Sequence, residues 1–326
     1  MHKFKKYRYG LSSLVIFRSL LEEPVIKALQ ELLESDKGDV SGIRAYGAFA
    51  SELYKEGADF SGLLLRFILE DENFYIKAKA RNQKVTEAVE QCLMEELKFL
   101  QELSQLSSSR IKEIMSYEGY LPDWYNTDYD FLKEYKDKID KVAFEGYGIY
   151  SKYYAFNFKA GEIKPVKNIE PIFCKDLQGY ERERALVMEN TRALIEGKPA
   201  NNVLLYGDAG TGKSTTIKAV LNELKDQGLR LVEVKKQQLF ELPELMDKLA
   251  DIPLKFIIFI DDLSFTGNDD TFSSLKAVLE GGISALGKNT VIYATSNRRH
   301  LMKETFGDRN GDELHLNDTL QESMSL

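Results

Sequence analysis

The sequence predicts two parts in series: a mainly α-helical N-terminal domain, then an α/β core built on a parallel sheet. Three observations lead there. Up to about residue 115, apolar residues recur at i, i+3/i+4 spacing, the stripe of helices laid on a core. From Val203 onward, short apolar runs alternate with helix-length segments, the pattern of βαβ units with helices on both faces of a sheet. One of those runs, Val203 to Tyr206, opens directly into a glycine-rich loop that leads into a helix.

The bulk properties fit that division. At 326 residues, 43% hydrophobic and 29% charged, the chain has enough apolar residues for two globular domains. Its net charge is -8 and neither half carries a basic excess, so nucleic acid is not indicated as a partner. Two distant cysteines, Cys92 and Cys174, with no CxxC or Cys/His cluster, argue against zinc and against a disulfide framework. A cytoplasmic setting is expected. Lys3, Lys5, Lys6 and Arg8 precede the apolar run Leu14-Val15-Ile16-Phe17, but Arg18, Glu22 and Glu23 interrupt it. The run is too short for a signal peptide or a transmembrane segment, and a short surface helix is expected, with peripheral membrane contact as the minor alternative.

Along the chain, helices are expected over Val25 to Leu33, Leu63 to Leu69 and Val85 to Leu106. The last has its stripe at Val85, Val89, Cys92, Leu93, Leu97, Leu100, Leu103 and Leu106, with Glu90, Glu95, Glu96, Lys98 and Glu102 between them as a solvated face. Ser107-Ser108-Ser109 breaks the pattern and offers an N-cap for Arg110 to Met115. An aromatic-rich stretch with Pro122, Trp124, Tyr125, Tyr129 and Phe131 follows, then a charged helix near Leu132 to Val142. Tyr147 to Phe156 reads as short strands or an aromatic interface, with packing preferred over a base-stacking platform. The boundaries that result are a helical domain over 1–160, a linker and first core helix over 161–199, and the core over 200–326. Within the core, strands are expected at Val203 to Tyr206, Leu229 to Val234, Phe256 to Ile260 and Val291 to Thr295. Helices are expected from Lys213 to Asp226, Gln238 to Leu249 and Asp270 to Leu286.

The loop Gly207-Asp208-Ala209-Gly210-Thr211-Gly212-Lys213-Ser214 is G-x-x-x-x-G-K-[ST], and Thr215 extends the binding set. Its glycines let backbone N–H groups turn inward onto phosphate oxygens, and the following helix offers its positive end to the same anion. Lys213 is expected to reach the β- and γ-phosphates of ATP, and the Ser214 hydroxyl to ligate Mg²⁺. A dinucleotide-binding reading fails because no G-x-G-x-x-G is present.

Phe256-Ile257-Ile258-Phe259-Ile260-Asp261-Asp262 is an apolar strand ending in paired carboxylates, a Walker B pattern. Strand C-termini are where open α/β sheets bind ligands. Asp261 is expected to hold Mg²⁺, and Asp262 to orient or deprotonate the attacking water. The next strand runs through Tyr293-Ala294-Thr295-Ser296 into Asn297, whose amide is expected to place that water against the γ-phosphate. The solvent-exposed state is expected for His300 and His315, since carboxylates already serve as the base.

With those motifs in phase, residues 175 to 326 resemble the AAA+ ATPases, with Asn297 at the position that family calls sensor 1. More narrowly, Asp176-Leu177-Gln178-Gly179-Tyr180-Glu181, Ala200 to Gly207, Leu279-Glu280-Gly281-Gly282 and Ala294 to Leu301 are similar to a bacterial ATP-binding family of unknown function, family 815, whose members carry a helical N-terminal region. The resemblance implies a P-loop NTPase core of the AAA+ type, with ATP as ligand. It leaves open an ATP-dependent homo-oligomer and a protein partner that it does not identify.

Two departures from the AAA+ pattern shape the expected activity. Most members end Walker B in Asp-Glu, whereas here the second acid is Asp262, one methylene shorter. A reacting group displaced by about 1 Å can cost on the order of 10²-fold in rate. The residues after Asn297 are too few for a helical lid, so the core is expected to lack one, leaving Arg298, Arg299 and Arg309 as candidates for an arginine acting in trans. The expected function is weak Mg-dependent ATP hydrolysis that remodels or switches a partner. The alternative is a nucleotide-gated binding module with negligible hydrolysis. No Arg-rich lid with an acceptor pocket follows the loop to support a small-molecule kinase, and no N-K-x-D follows it to support a GTPase.

Overall fold

The computed structural model describes residues 4–35, 39–115, 117–264 and 288–297. The chain divides into two compact units, Met1–Val142 and Ala143–Leu326. The division falls earlier than the boundary near 160 expected from composition. Residues 155–165 form two strands of the second unit's sheet, so they are core rather than the end of a helical domain.

The first unit is helical: α1 (Lys5–Ser12), α2 (Pro24–Glu34), α3 (Val40–Lys55), α4 (Phe60–Glu70), α5 (Phe74–Ala80), α6 (Glu87–Ser104), α7 (Ser108–Met115) and α8 (Phe131–Asp140). Short polar residues start several of them. Asp39, Asp59, Asn73 and Asp130 each accept the amide three residues on, and Ser107 accepts the amide of Arg110, which satisfies otherwise orphaned helix donors. The α6 stripe is buried as its spacing requires, with Leu97, Leu100 and Leu103 fully enclosed. Trp124 sits against Tyr46 and Phe49, and its indole N–H donates to the Leu106 carbonyl at 2.9 Å.

The N-terminal apolar run is not a surface helix. Helix α1 ends at Ser12, and Leu14, Ile16 and Phe17 are buried in the core of this unit. What turns them inward is Glu96, a residue assigned by its spacing to a solvated face. Its carboxylate is buried and accepts the backbone amides of Val15, Ile16 and Phe17 at 2.6 to 3.2 Å. Among the described residues, no helix is long and apolar enough to cross a membrane.

In the second unit, short helices α9 (Val142–Glu145) and α10 (Ile149–Lys152) lead into β1 (Ala155–Lys159) and β2 (Glu162–Pro165). Then follow α11 (Glu181–Ile195), β3 (Val203–Tyr206), α12 (Lys213–Leu224), β4 (Leu229–Glu233), α13 (Leu242–Ala250), β5 (Lys255–Ile260) and β6 (Thr290–Ser296). The sheet runs β2-β1-β4-β5-β6-β3. All neighbours are parallel except β1 and β2, so an antiparallel hairpin extends one side of the expected parallel sheet. The expected helix from Gln238 instead begins as a 3-10 segment, Lys236–Glu241, and α13 starts only beside Pro243, a residue suited to a first helical turn and not to a helix interior. The helix expected over Asp270 to Leu286 and the residues of any lid lie outside the described residues.

Continuous apolar strands follow from burial on both faces. Phe256, Ile258 and Ile260 of β5 join Ile292 and Ala294 of β6 in a core closed by α13. Ile257 and Phe259, with Val291 and Tyr293, point to the other face and meet α11 and α12 through Val187, Ile217 and Val220. Tyr150 and Phe156 belong to the first of these cores: Tyr150 lies 5.0 Å from Phe156 and 5.7 Å from Phe256, ring centre to ring centre.

Arg230 of β4 is almost fully buried, and among the described residues no carboxylate forms an ion pair with its guanidinium. It donates instead to the carbonyls of Tyr150, Lys225, Leu229 and Glu145, at 2.8 to 3.1 Å, and lies 4.7 Å from the Tyr154 ring. Burial lowers its pKa to about 10. This one side chain fastens the segment before β1 to β4, an interior strand of the sheet.

Candidate functional site

Three strands deliver the site. β3, β5 and β6 are parallel, with Tyr206 opposite Ser296 and Ile260 opposite Ala294, so their C-terminal ends bring loop 207–214, Asp261-Asp262 and Asn297 to one edge of the sheet. Gly207 N donates to the Ser296 carbonyl at 3.3 Å, which extends the pairing into the loop itself.

The loop turns where only glycine turns without strain: φ is 80° at Gly210 and 82° at Gly212, the N-cap of α12. Asp208, Ala209 and Gly210 are exposed, and Thr211, Gly212, Lys213, Ser214 and Thr215 are half-buried. The Thr211 hydroxyl donates to the Asp208 carbonyl at 3.0 Å. Lys213 folds over the loop. Its ammonium donates to the carbonyls of Gly207 (2.9 Å) and Asp208 (2.7 Å) and to Asn297 Oδ1 (3.1 Å).

Two polar strings radiate from this point. The Asn297 amide passes from Lys213 to Asp262, donating to Asp262 Oδ1 at 3.0 Å. The Ser214 hydroxyl donates to Asp261 Oδ1 at 2.6 Å. Asp262 itself has φ of 53°, in the left-handed region that costs most residues about 1 kcal/mol and that Asp tolerates better than most. β5 ends at Ile260 and the chain turns at Asp262, so two adjacent acids serve two different partners.

The sequence-predicted residues thus meet: Lys213, Ser214, Asp261, Asp262 and Asn297 form one connected cluster at an accessible edge. Arg298, Arg299, Arg309, His300, His315 and the Leu279 to Gly282 motif lie outside the described residues. Sequence reasoning missed Thr295, which was quoted in the strand but given no task. It is buried, and its hydroxyl donates to Asp261 Oδ1 at 2.5 Å while accepting the Asp262 amide at 2.9 Å. The available signal was a hydroxyl two residues before Asn297, at the end of the run Val291 to Ala294.

The chemistry on offer is an anion cradle of backbone amides and one lysine, beside a hydroxyl and a carboxylate that share a hydrogen bond. Those hard oxygen donors suit Mg²⁺, which takes few protein ligands and keeps substrate oxygens and water for the rest. Among the described residues there is no cluster of three or more acidic, His or Cys side chains that would form a dedicated metal cage.

A family model described as "Protein of unknown function (DUF815)" matches residues 151–326. The chain belongs to the DUF815 family. That match begins within the segment leading to β1 and takes in the whole sheet, which agrees with the unit boundary at 142 and 143. The DUF815 chain is also similar to the 26S proteasome regulatory subunit 4 homologs of Encephalitozoon cuniculi and Dictyostelium discoideum. The identities are 41% and 39% over 127 residues, 33% of this chain in both cases. It spans only 30% and 29% of the length of those relatives. Among solved structures, one titled "Crystal Structure of the DnaI" aligns with 21% identity and a TM-score of 0.30, covering 45% of this chain and 78% of the other. The DUF815 core is an AAA+-type P-loop fold, read from its own strand order and the loop that follows β3.

Proposed function

We propose that this chain binds Mg·ATP at loop 207–214, hydrolyses it slowly and uses the nucleotide state to remodel or switch a protein partner. The observation that supports this most is the convergence of Lys213, Ser214, Asp261, Asp262 and Asn297 through hydrogen bonds of 2.6 to 3.1 Å.

On this reading the phosphates replace protein carbonyls. Lys213 leaves Gly207 O and Asp208 O for β- and γ-phosphate oxygens, and the N-terminal end of α12 adds its amides. Ser214 and Asp261 would hold Mg²⁺, which when bound neutralises charge on the phosphates. Asp262 accepts a proton from the attacking water or orients it, and the Asn297 amide, already hydrogen-bonded to Asp262, aligns the same water. Water attacks the γ-phosphorus as the bond to the β–γ bridging oxygen breaks, giving ADP and phosphate.

The second reading, a nucleotide-gated module with negligible hydrolysis, draws on Asp262. Its carboxylate is one methylene shorter than glutamate and one oxygen is engaged by Asn297. In either case ATP occupancy must reorganise the Lys213–Asn297–Asp262 string, which gives the bound state a way to differ from the free one. The names of the matched relatives make a protein partner the one to test first, and a homo-oligomer that forms with ATP belongs to the same proposal.

Sedimentation velocity of the full chain, without nucleotide and with Mg·ATP or a non-hydrolysable analogue, tests the reading. An ATP-dependent change in sedimentation coefficient supports a nucleotide-driven remodeller or switch. Identical profiles at saturating nucleotide, with no protein partner retained more strongly in the ATP state, would overturn it.

A further inference from the structure

We propose that Thr295 is a positioning residue that sets the Asp261 carboxylate and the Asp262 backbone for a magnesium-bound nucleotide; this rests on the Mg·ATP reading above. The hydroxyl of threonine has one proton to donate and lone pairs to accept with. Here the proton goes to Asp261 Oδ1 at 2.5 Å and a lone pair receives the Asp262 amide at 2.9 Å. One side chain therefore grips both acids, the first by its carboxylate and the second by its main chain.

Its own position is fixed. Thr295 is 2% exposed, on a strand whose neighbours on both sides are parallel. Its carbonyl accepts the Leu263 amide at 2.7 Å, one step beyond Asp262. The chain around Asp262 is thus pinned to the same threonine on both sides, through the hydroxyl at Asp262 N and the carbonyl at Leu263 N. That double attachment holds the left-handed turn at Asp262, where φ is 53°.

The consequence for a metal is direct. Asp261 Oδ1 takes hydroxyl protons from both Thr295 and Ser214. Ser214 would turn its oxygen to Mg²⁺, so its hold on Asp261 is shared with the ligand. Thr295 touches nothing that the nucleotide would displace, and it keeps the carboxylate aimed whether or not the site is filled. Groups that orient a metal's ligands from behind typically change metal affinity by about 10- to 100-fold when removed.

The experiment is a titration of a fluorescent ATP analogue at a series of Mg²⁺ concentrations, and in EDTA, for the wild type, Thr295→Val and Thr295→Ser. Valine keeps the volume and removes the hydroxyl; serine keeps the hydroxyl and removes a methyl. Thr295→Val is expected to need about tenfold more Mg²⁺ for half-maximal tightening, with affinity in EDTA within about twofold of wild type because Lys213 and the loop are intact. Thr295→Ser is expected to follow the wild type. An unchanged Mg²⁺ requirement in Thr295→Val overturns the proposal, as does an equal loss in EDTA. If Thr295→Val does not fold, Thr295→Ser decides alone: a Mg²⁺ requirement raised tenfold with the hydroxyl retained overturns it. A wild type that binds no analogue refutes the Mg·ATP reading and this proposal with it, an outcome distinct from a wild type that binds and a valine variant that matches it.

Discussion

The ammonium of Lys213 donates to Asn297 Oδ1 at 3.1 Å across 84 residues of sequence, joining the phosphate loop to the end of β6. The same amide donates to Asp262 through its nitrogen, so one planar group bridges the lysine and the acid.

Asn297→Ala removes that group while leaving the loop amides and Lys213 in place. ATP affinity is expected to fall less than about tenfold, whereas turnover falls by about 10²-fold, the scale of a misplaced reacting group. Equilibrium binding and single-turnover hydrolysis measured on the same preparation check the split. Parallel losses in both would show that Asn297 acts in binding alone.

On the proposed mechanism, Asp262 would set the ceiling on hydrolysis. The isolated chain is expected to turn over ATP below about 1 s⁻¹, the lower end of the usual enzyme range. Asp262→Asn should remove what activity there is and retain Mg·ATP binding. Phosphate release under steady state gives the first quantity and calorimetry the second. Turnover well above that limit would mean that the shorter acid is correctly placed.

Arg230 carries a structural prediction for the sheet. Replacing it with Ala leaves the carbonyls of Tyr150, Lys225, Leu229 and Glu145 without their shared donor. A loss of about 3 kcal/mol is expected, from the penalty of unpaired buried polar groups and the lost packing of the side chain. Chemical denaturation of wild type and variant measures it. The effect should appear in the unit holding the sheet.

Asp59 makes the stability of the helical unit depend on acid. Burial works against its charge, yet hydrogen bonds from the Thr127 side chain and from the amides of Gly62, Thr127 and Ser61 prevail and hold its pKa below the reference 3.8. A lowered carboxylate pKa contributes stability above the unfolded value and loses it as pH falls through the folded one. Asp59→Ala is therefore expected to cost about 1 kcal/mol near neutral pH, the usual value of an N-cap. The gap from wild type should close below pH 3.8, as thermal unfolding across a pH series would show.

Much of this was legible from residue order because it depends on local chemistry. The loop, the apolar strand ending in paired acids, and the α6 stripe announce themselves by spacing alone. Three features did not. Glu96 lay at a helix position that reads as solvated, and its burial depends on three amides some 80 residues away in the chain. Tyr147 to Phe156 reads as short strands or an aromatic interface, but Ile149–Lys152 forms a short helix and the strand runs over Ala155–Lys159, where β4 offers a parallel partner. Thr295 could be quoted but not assigned, since its task exists only where β5 and β6 lie in register. Composition placed the domain boundary near 160 for the same reason: the pairing that draws residues 155–165 into the sheet is non-local.

The most direct test of the central claim is a calorimetric titration of the full chain with ATP in the presence of Mg²⁺, beside Lys213→Ala. The structure leads us to expect saturable binding by the wild type and at least a hundredfold weaker binding by the variant, since the ammonium is the one cation that reaches into the loop among the described contacts. Equal binding by the two proteins, or none by the wild type, would contradict it.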